Sequence, residues 1–273
     1  MPLISIPAVP LAPARRYERE RVGVMLTRFF QRSGNAGAAW GSPWERGAPA
    51  PHYPGKRALF GWALIIAAGV CVTQGAPATS KAEDGKALFD GKSLAGWMVT
   101  DFYKPGAVKV DPKFRDGAGA VVAETGVFLT GITWAKDDEL PRTNYEISLE
   151  AMKVDGGDFF CGLTFPVGKS GCSLIVGGWG GTVVGLSSID DNDASENETS
   201  QGKDFALNRW YRLRVRVTDA RIQAWIDDER IVDLETKDRK IDVRGGEIER
   251  SLPLGIAAYQ TKAAWRNIRL RRL

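Results

Sequence analysis

Tyr145, Ile147, Leu149 and Ala151 alternate with Glu146, Ser148 and Glu150. A period of two predicts a strand with one buried face. The rhythm returns at Tyr211, Leu213, Val215 and Val217, separated by Arg212, Arg214 and Arg216. It returns again at Ile222, Ala224 and Ile226, set against Arg221, Gln223 and Trp225. A tight turn at Thr218-Asp219 would pair Val215 with Ile222 and Leu213 with Ala224. The same register puts Arg214 beside Gln223 and Arg212 beside Trp225 on the opposite face. Residues 159–165 and 173–176 are short apolar runs around the hairpin-like loop 166–171. Runs at 182–186, 230–234, 254–260 and 264–270 continue the series. No window of eleven residues carries a helical stripe. Regularly spaced strands with Gly, Asp and Pro turns predict an all-β sandwich over residues 82–273, and about 190 residues suffice for one such core.

The pattern before residue 82 is different. Residues 1–55 mix Pro, Arg, Gly and Ala without a sustained period and read as a disordered extension or a mis-assigned start of translation. Lys56 and Arg57 precede fifteen apolar residues, 58–72, followed by Thr73-Gln74-Gly75-Ala76-Pro77-Ala78. A basic flank, a short apolar run and small residues predict a signal peptide over 56–78, cleaved after Ala78 or Gly75. A retained anchor is the alternative, although a span needs about 20 apolar residues. The expected location is the periplasm or cell surface, with no membrane span in the mature form.

Charge changes the picture once it is divided. The net charge is +4, but residues 1–78 hold nine Lys/Arg and only three acids. Residues 79–273 therefore hold 28 basic and 30 acidic residues, a balance that gives nucleic acid no support as a partner. His52 is the single histidine, which excludes a multi-His metal site and a His-based triad in their usual forms. Three cysteines without a CxxC exclude a four-cysteine zinc site. Export permits a disulfide between Cys161 and Cys172, eleven residues apart; two buried free thiols are the alternative.

Leu88-Phe89-Asp90-Gly91-Lys92-Ser93-Leu94-Ala95-Gly96-Trp97 resembles the opening motif of an exported bacterial family, the 3-keto-disaccharide hydrolase domain. Asn208-Arg209-Trp210-Tyr211 with Ile222-Gln223-Ala224-Trp225-Ile226-Asp227-Asp228 resembles its central hairpin, and Trp265-Arg266-Asn267-Ile268-Arg269-Leu270 its closing motif. The resemblance spans about residues 85–273. It implies a concanavalin A-like jelly-roll sandwich of two antiparallel sheets, with sugar chemistry in a groove on one of them. It also implies an activity: cleavage of glycosides already oxidised to a ketone at C3, by base-assisted elimination followed by hydration. Such a site needs a base at C2, an acid for the leaving oxygen, and a donor or metal on the C3 oxygen. The chain departs from the family pattern at two strands. No Arg follows residues 160–165, and Ser173 and Ile175 stand where a Glu and a Gln are expected. A non-catalytic carbohydrate-binding module is the alternative reading.

Three constellations are candidates for the chemistry. Asp190, Asp191, Asp193, Glu196 and Glu198 fall within nine residues. Asp190, Asp191, Asp193 and Glu196 could supply an acid/base pair. Asp190, Asp191 and Asp193 could instead cradle Ca²⁺, which takes six to eight oxygen ligands, and a solvated acidic loop is the third reading. Trp179, set among Gly177, Gly178, Gly180 and Gly181, could expose its indole for a sugar ring, or pack at a sharp bend. Arg212, Arg214 and Trp225 sit on a basic face that could hold a glycan or simply face solvent.

Overall fold

The computed structural model describes residues 85–115 and 117–273. The extension, the apolar segment 58–72 and both cleavage positions lie outside the described residues. The described part holds fifteen strands: β1 (Lys86–Ala87), β2 (Trp97–Val99), β3 (Val108–Phe114), β4 (Ala118–Ala123), β5 (Leu129–Trp134), β6 (Tyr145–Gly156), β7 (Cys161–Val167), β8 (Ser170–Gly178), β9 (Val183–Ser187), β10 (Gln201–Gly202), β11 (Trp210–Val217), β12 (Arg221–Ile226), β13 (Glu229–Glu235), β14 (Gly255–Tyr259) and β15 (Thr261–Arg272). Two short 3-10 turns, Asp137–Glu139 and Glu247–Ser251, are the only helical pieces among the described residues. None of these is long and apolar enough to cross a membrane.

The first sheet runs β13-β12-β11-β6-β15-β4-β3, with β1 added against β15. The second runs β10-β9-β8-β7-β14-β5-β2. Neighbouring strands are antiparallel, and β4, β5, β6 and β7 pass alternately between the sheets, the crossing pattern of a jelly-roll sandwich. Tyr145, Ile147, Leu149, Leu213, Val215, Ile222 and Trp265 of the first sheet meet Leu163, Phe165, Leu174, Val176, Leu186 and Ile256 of the second in one core. The alternating faces read from β6, β11 and β12 are present. In β7 and β8 the alternation is lost, because nearly every residue is buried. A smaller apolar cluster of Phe102, Leu129, Val243, Ile248 and Ala257 lies apart from the main core. A strand covered on both faces reads as a continuous apolar run.

The opening and closing motifs are neighbours in space. Lys86 and Ala87 pair with Leu270 and Arg269, and Leu88 N–H donates to Ile268 O at 2.9 Å. Trp97 Nε1 donates to Leu88 O at 2.8 Å, and its ring meets Trp134 edge-on at 5.2 Å. Gly96 precedes it at φ +82°, and a Cβ there would stand 2.7 Å from the Trp134 ring. The motif therefore needs glycine both for its left-handed backbone and for the space the indole occupies.

Two expectations require correction. In the β11–β12 hairpin, Val217 faces Ile222, Val215 faces Ala224, and Arg214 faces Trp225. The register is two residues from the expected one. A shift of two preserves which side chains point inward, so periodicity could not distinguish the alternatives. The disulfide is also absent. Cys161 lies opposite Val176 and Cys172 opposite Phe165, which separates the cysteines by four strand positions, about 13 Å. A disulfide needs Cα atoms within about 7 Å. Both thiols are free and buried. Burial raises Cys161 far above the ordinary thiol range and pushes Cys172 up to about 12, so neither is a nucleophile.

The outer face of the first sheet carries an ion-pair lattice. Glu146 on β6 is 6% exposed and is met by Arg214 at 3.3 Å, Arg216 at 2.9 Å and Arg271 at 3.0 Å. Arg266 engages Glu150 at 2.6 Å, Arg212 engages Asp228 at 2.9 Å, and Arg221 engages Asp233 at 2.7 Å.

Candidate functional site

A cavity of about 450 Å³ opens on the outer face of the second sheet. Its floor is made by Ser173 and Ile175 of β8, Ser187 of β9, Leu129 of β5 and Tyr259 of β14. The walls come from three connections: Asp158-Phe159 after β6, Trp179 after β8, and residues 244–248 before β14. This volume and mixture of apolar surface with a few polar groups suit a small-molecule site.

Local hydrogen bonds set each wall. Asp158 Oδ1 accepts Phe159 N–H at 2.7 Å, and Oδ2 accepts Gly180 N–H at 3.1 Å. The carboxylate thus ties its own loop to the glycine bend that carries Trp179. In that bend Trp179 itself has φ +47°, between Gly177 at +80° and Gly180 at +87°. The bend leaves its indole 41% exposed at the cavity rim. Opposite, Glu247 Oε2 accepts Tyr103 N–H at 2.7 Å, and its Oε1 lies 3.5 Å from Arg250 Nε. Arg244 Nε lies 3.2 Å from Asp193 Oδ2, while Asp193 Oδ1 accepts the Ser187 hydroxyl at 3.2 Å. On the floor, the Ser173 and Thr164 hydroxyls are 2.8 Å apart.

The acidic loop is a structured flange beside this cavity. Asp193 reaches it through Ser187 and Arg244. Asp190 accepts Lys240 N–H at 2.8 Å and Arg239 Nε at 2.6 Å. The Lys240 N–H, with Arg239, holds the Asp190 carboxyl below its usual range. Asp191 pairs with Lys240 Nζ, and Glu198 with Arg239; Glu196 is exposed. Asp190, Asp191 and Glu196 are not among the residues lining the cavity. The same contacts involve the three carboxylates of the Ca²⁺ reading. Arg239 pairs with Asp190, Lys240 with Asp191 and Arg244 with Asp193. Among the described residues, no group of three or more His, Cys, Asp or Glu side chains is placed to hold a metal ion.

Asn197 organises the flange. Its buried amide donates to Leu186 O at 2.7 Å, Asp193 O at 2.8 Å and Asn192 O at 3.1 Å. Its Oδ1 accepts Thr199 N–H at 3.0 Å and the Thr199 hydroxyl at 2.6 Å. Asn197→Ala would leave several of these buried backbone groups unpaired. The expected loss is about 2 kcal/mol of unfolding free energy, read as a lower urea midpoint at unchanged slope.

Trp179 and the arginine face do not share a site. Arg212, Arg214 and Trp225 lie on the outer face of the first sheet, on the far side of the core. There the Arg214 guanidinium sits 4.0 Å from the centre of the Trp225 ring.

Residues 84–271 match the family model of the 3-keto-alpha-glucoside-1,2-lyase-like domain. The chain belongs to this family. The function of this lyase-like domain is accordingly carbohydrate-related. Among curated proteins, none matches the chain. Solved structures similar to the lyase-like domain include a carbohydrate-binding module from Bacillus subtilis, 14% identical, with a TM-score of 0.42, covering 64% of this chain and 95% of that one. Another is a candidate glycosyl hydrolase from Parabacteroides distasonis, 14% identical, TM-score 0.42, covering 68% and 92%. A third is domain 4 of an extracellular arabinanase from Geobacillus stearothermophilus in complex with arabinotriose, 12% identical, TM-score 0.42, covering 64% and 82%.

The lyase-like domain places Ser173 and Ile175 on the cavity floor, so the strand positions singled out in the sequence do face the site. Its charge comes from elsewhere, from Asp158, Arg244 and Glu247. Each lies beside a glycine pair, Gly156-Gly157 or Gly245-Gly246, and that is the local signal they carry. Their convergence is set by tertiary folding, since about 85 residues separate Asp158 from Arg244.

Proposed function

We propose that this domain cleaves the glycosidic bond of a 3-keto glycoside. The observation that carries the reading is the convergence of Asp158, Glu247 and Arg244 on one cavity that also presents Trp179 and Tyr259. The ketone at C3 acidifies the C2 proton. One carboxylate takes that proton, and the C2–H electron pair becomes the C1=C2 bond. The C1–O bond breaks, and the leaving oxygen takes a proton from the other carboxyl group. Arg244 faces the C3 oxygen as negative charge develops there, with its guanidinium held by Asp193. Water then adds across C1=C2 and releases the 3-keto sugar. Trp179 and Tyr259 present ring faces to the sugar.

The test is incubation of the purified protein with a 3-keto disaccharide, with alcohol release and C2 hydrogen exchange in D₂O followed by NMR. Release above the uncatalysed rate supports the reading, and its absence sinks it. Arg244→Ala should slow release about 10²- to 10³-fold. Asp193→Asn should act more weakly, because it loosens Arg244 without removing it. Asp190→Asn should leave release within about twofold, since exposed ion pairs contribute little.

One observation favours a second reading, a carbohydrate-binding module without turnover. The floor carries the neutral Ser173 and Ile175. In that case Asp158 and Glu247 variants would alter affinity, and no substrate would be converted.

A further inference from the structure

Four aromatic rings run in series out of the cavity. Phe159 and Tyr259 line it, 5.8 Å apart between ring centres at 30° between planes. Phe128 follows Tyr259 at 6.2 Å and 28°, and Tyr103 follows Phe128 at 6.2 Å and 34°. The interior behaves differently. Trp97–Trp134, Phe114–Trp210, Phe160–Phe205 and Phe205–Tyr211 meet edge-on, between 67° and 79°, and Phe160–Tyr211 is tilted at 45°. Edge-on contact is one of the favoured geometries of packed rings. The outer series is tilted by 28° to 34° between successive planes, and its last two rings are open. Phe128 is 41% exposed and Tyr103 is 53% exposed.

The series is also held in place. Gln260 N–H donates to Phe128 O at 2.9 Å, and Gln260 Nε2 donates to Val127 O at 3.0 Å. Val127 N–H donates to Lys104 O at 3.1 Å. Tyr103 N–H donates to Glu247, one of the two cavity carboxylates. Thus the end of the ledge is anchored to the site it leaves. Exposed apolar surface that is pinned and continuous with a cavity marks a binding surface.

We infer that Phe159, Tyr259, Phe128 and Tyr103 form successive subsites for a neutral oligosaccharide longer than a disaccharide, with its terminal ring in the cavity. This rests on the cavity being a sugar site. The occupant follows from the chemistry of the ledge. Its four side chains bear no formal charge, which suits a neutral chain; at the outer end the Lys104 Nζ cation lies 5.3 Å from the centre of the Tyr103 ring. A pyranose offers an apolar C–H face to a ring and keeps its hydroxyls at the edges, in water. A single aromatic substituent on a sugar would use one ring of the four, whereas a chain of sugars repeats as the ledge does.

The test is calorimetric titration of the full chain with glucose oligomers of two to six units in α-1,4, β-1,4 and β-1,3 linkage. In at least one series, affinity should rise about tenfold or more from two units to four. The double variant Tyr103→Ala/Phe128→Ala should abolish that rise and leave disaccharide affinity within about twofold. Phe128→Trp should keep the rise, which separates loss of the ring from loss of the fold. Affinity that is flat or absent across all three series, or a rise that survives the double variant, overturns the inference. Cleavage of a 3-keto disaccharide, measured in parallel, separates the two readings. Cleavage with a flat series overturns only the ledge. A ring-dependent rise without cleavage supports the ledge and overturns only the catalytic proposal.

Discussion

Asp158→Asn and Glu247→Gln are each expected to slow alcohol release from a 3-keto disaccharide by about 10²- to 10⁴-fold, the usual contribution of a positioned acid or base. Both replacements keep side-chain shape and remove the ability to exchange a proton. Dissociation constants for the keto sugar should move by less than about threefold, because most of the cavity lining is untouched. The two variants should differ in a second readout. Loss of the base removes both C2 hydrogen exchange and release. Loss of the acid leaves C2 exchange running while release stops, since the proton can leave and return without departure of the alcohol. That pattern would assign the two roles, which the contacts of Asp158 and Glu247 leave open. Asp158→Asn also changes a loop contact, because Oδ2 accepts from Gly180 beside Trp179. Asn retains one carbonyl oxygen and can keep only one of the two backbone bonds. Glu247→Gln similarly retains an acceptor for Tyr103 N–H. Unchanged release in both variants would remove the two carboxylates from the mechanism.

The strands were legible because burial repeats along them. β6, β11 and β12 face solvent on one side, so each inward residue has an outward polar neighbour. The floor positions Ser173 and Ile175 were legible through the family motif. The rest of the site was not, for physical reasons. Asp158, Arg244 and Glu247 come from connections whose local sequence shows only glycines and charge, the same signature as any surface turn. The acidic loop gave a denser signal and proved to be matched by cations from residues 239–244, far along the chain. Charge density in sequence does not reveal whether counter-charges fold beside it. The β11–β12 register shows a related limit. Alternation decides the face of each residue, and only the turn decides which residues sit opposite.

Glu146→Ala is expected to cost about 3 kcal/mol or more of stability, the low end for breaking a buried ion pair. The side chain is 6% exposed on the outer face of the first sheet, under Arg214, Arg216 and Arg271, which are 31%, 33% and 43% exposed. Alanine would leave three guanidiniums facing one another without a counter-charge. Their partial exposure lets water screen some of the repulsion, which keeps the cost from rising further. The pH dependence follows from the same geometry. Burial would by itself raise the Glu146 carboxyl, but hydrogen bonds from Arg271 and Arg216 and the charge of Arg214 outweigh it and hold it below the ordinary glutamate range. A carboxyl lowered in the folded state binds its proton less readily there than in the unfolded chain. Its contribution is therefore complete above the unfolded value, about 4.3, and is lost as pH falls through the folded value. The arginines stay charged throughout. Urea unfolding of wild type and Glu146→Gln from pH 7 down to pH 3 should give a stability gap that is constant down to about pH 5. The gap should then narrow with further acidification, because the wild-type carboxyl becomes neutral like the amide. A gap independent of pH over that range would show that Glu146 acts through packing and not through its charge.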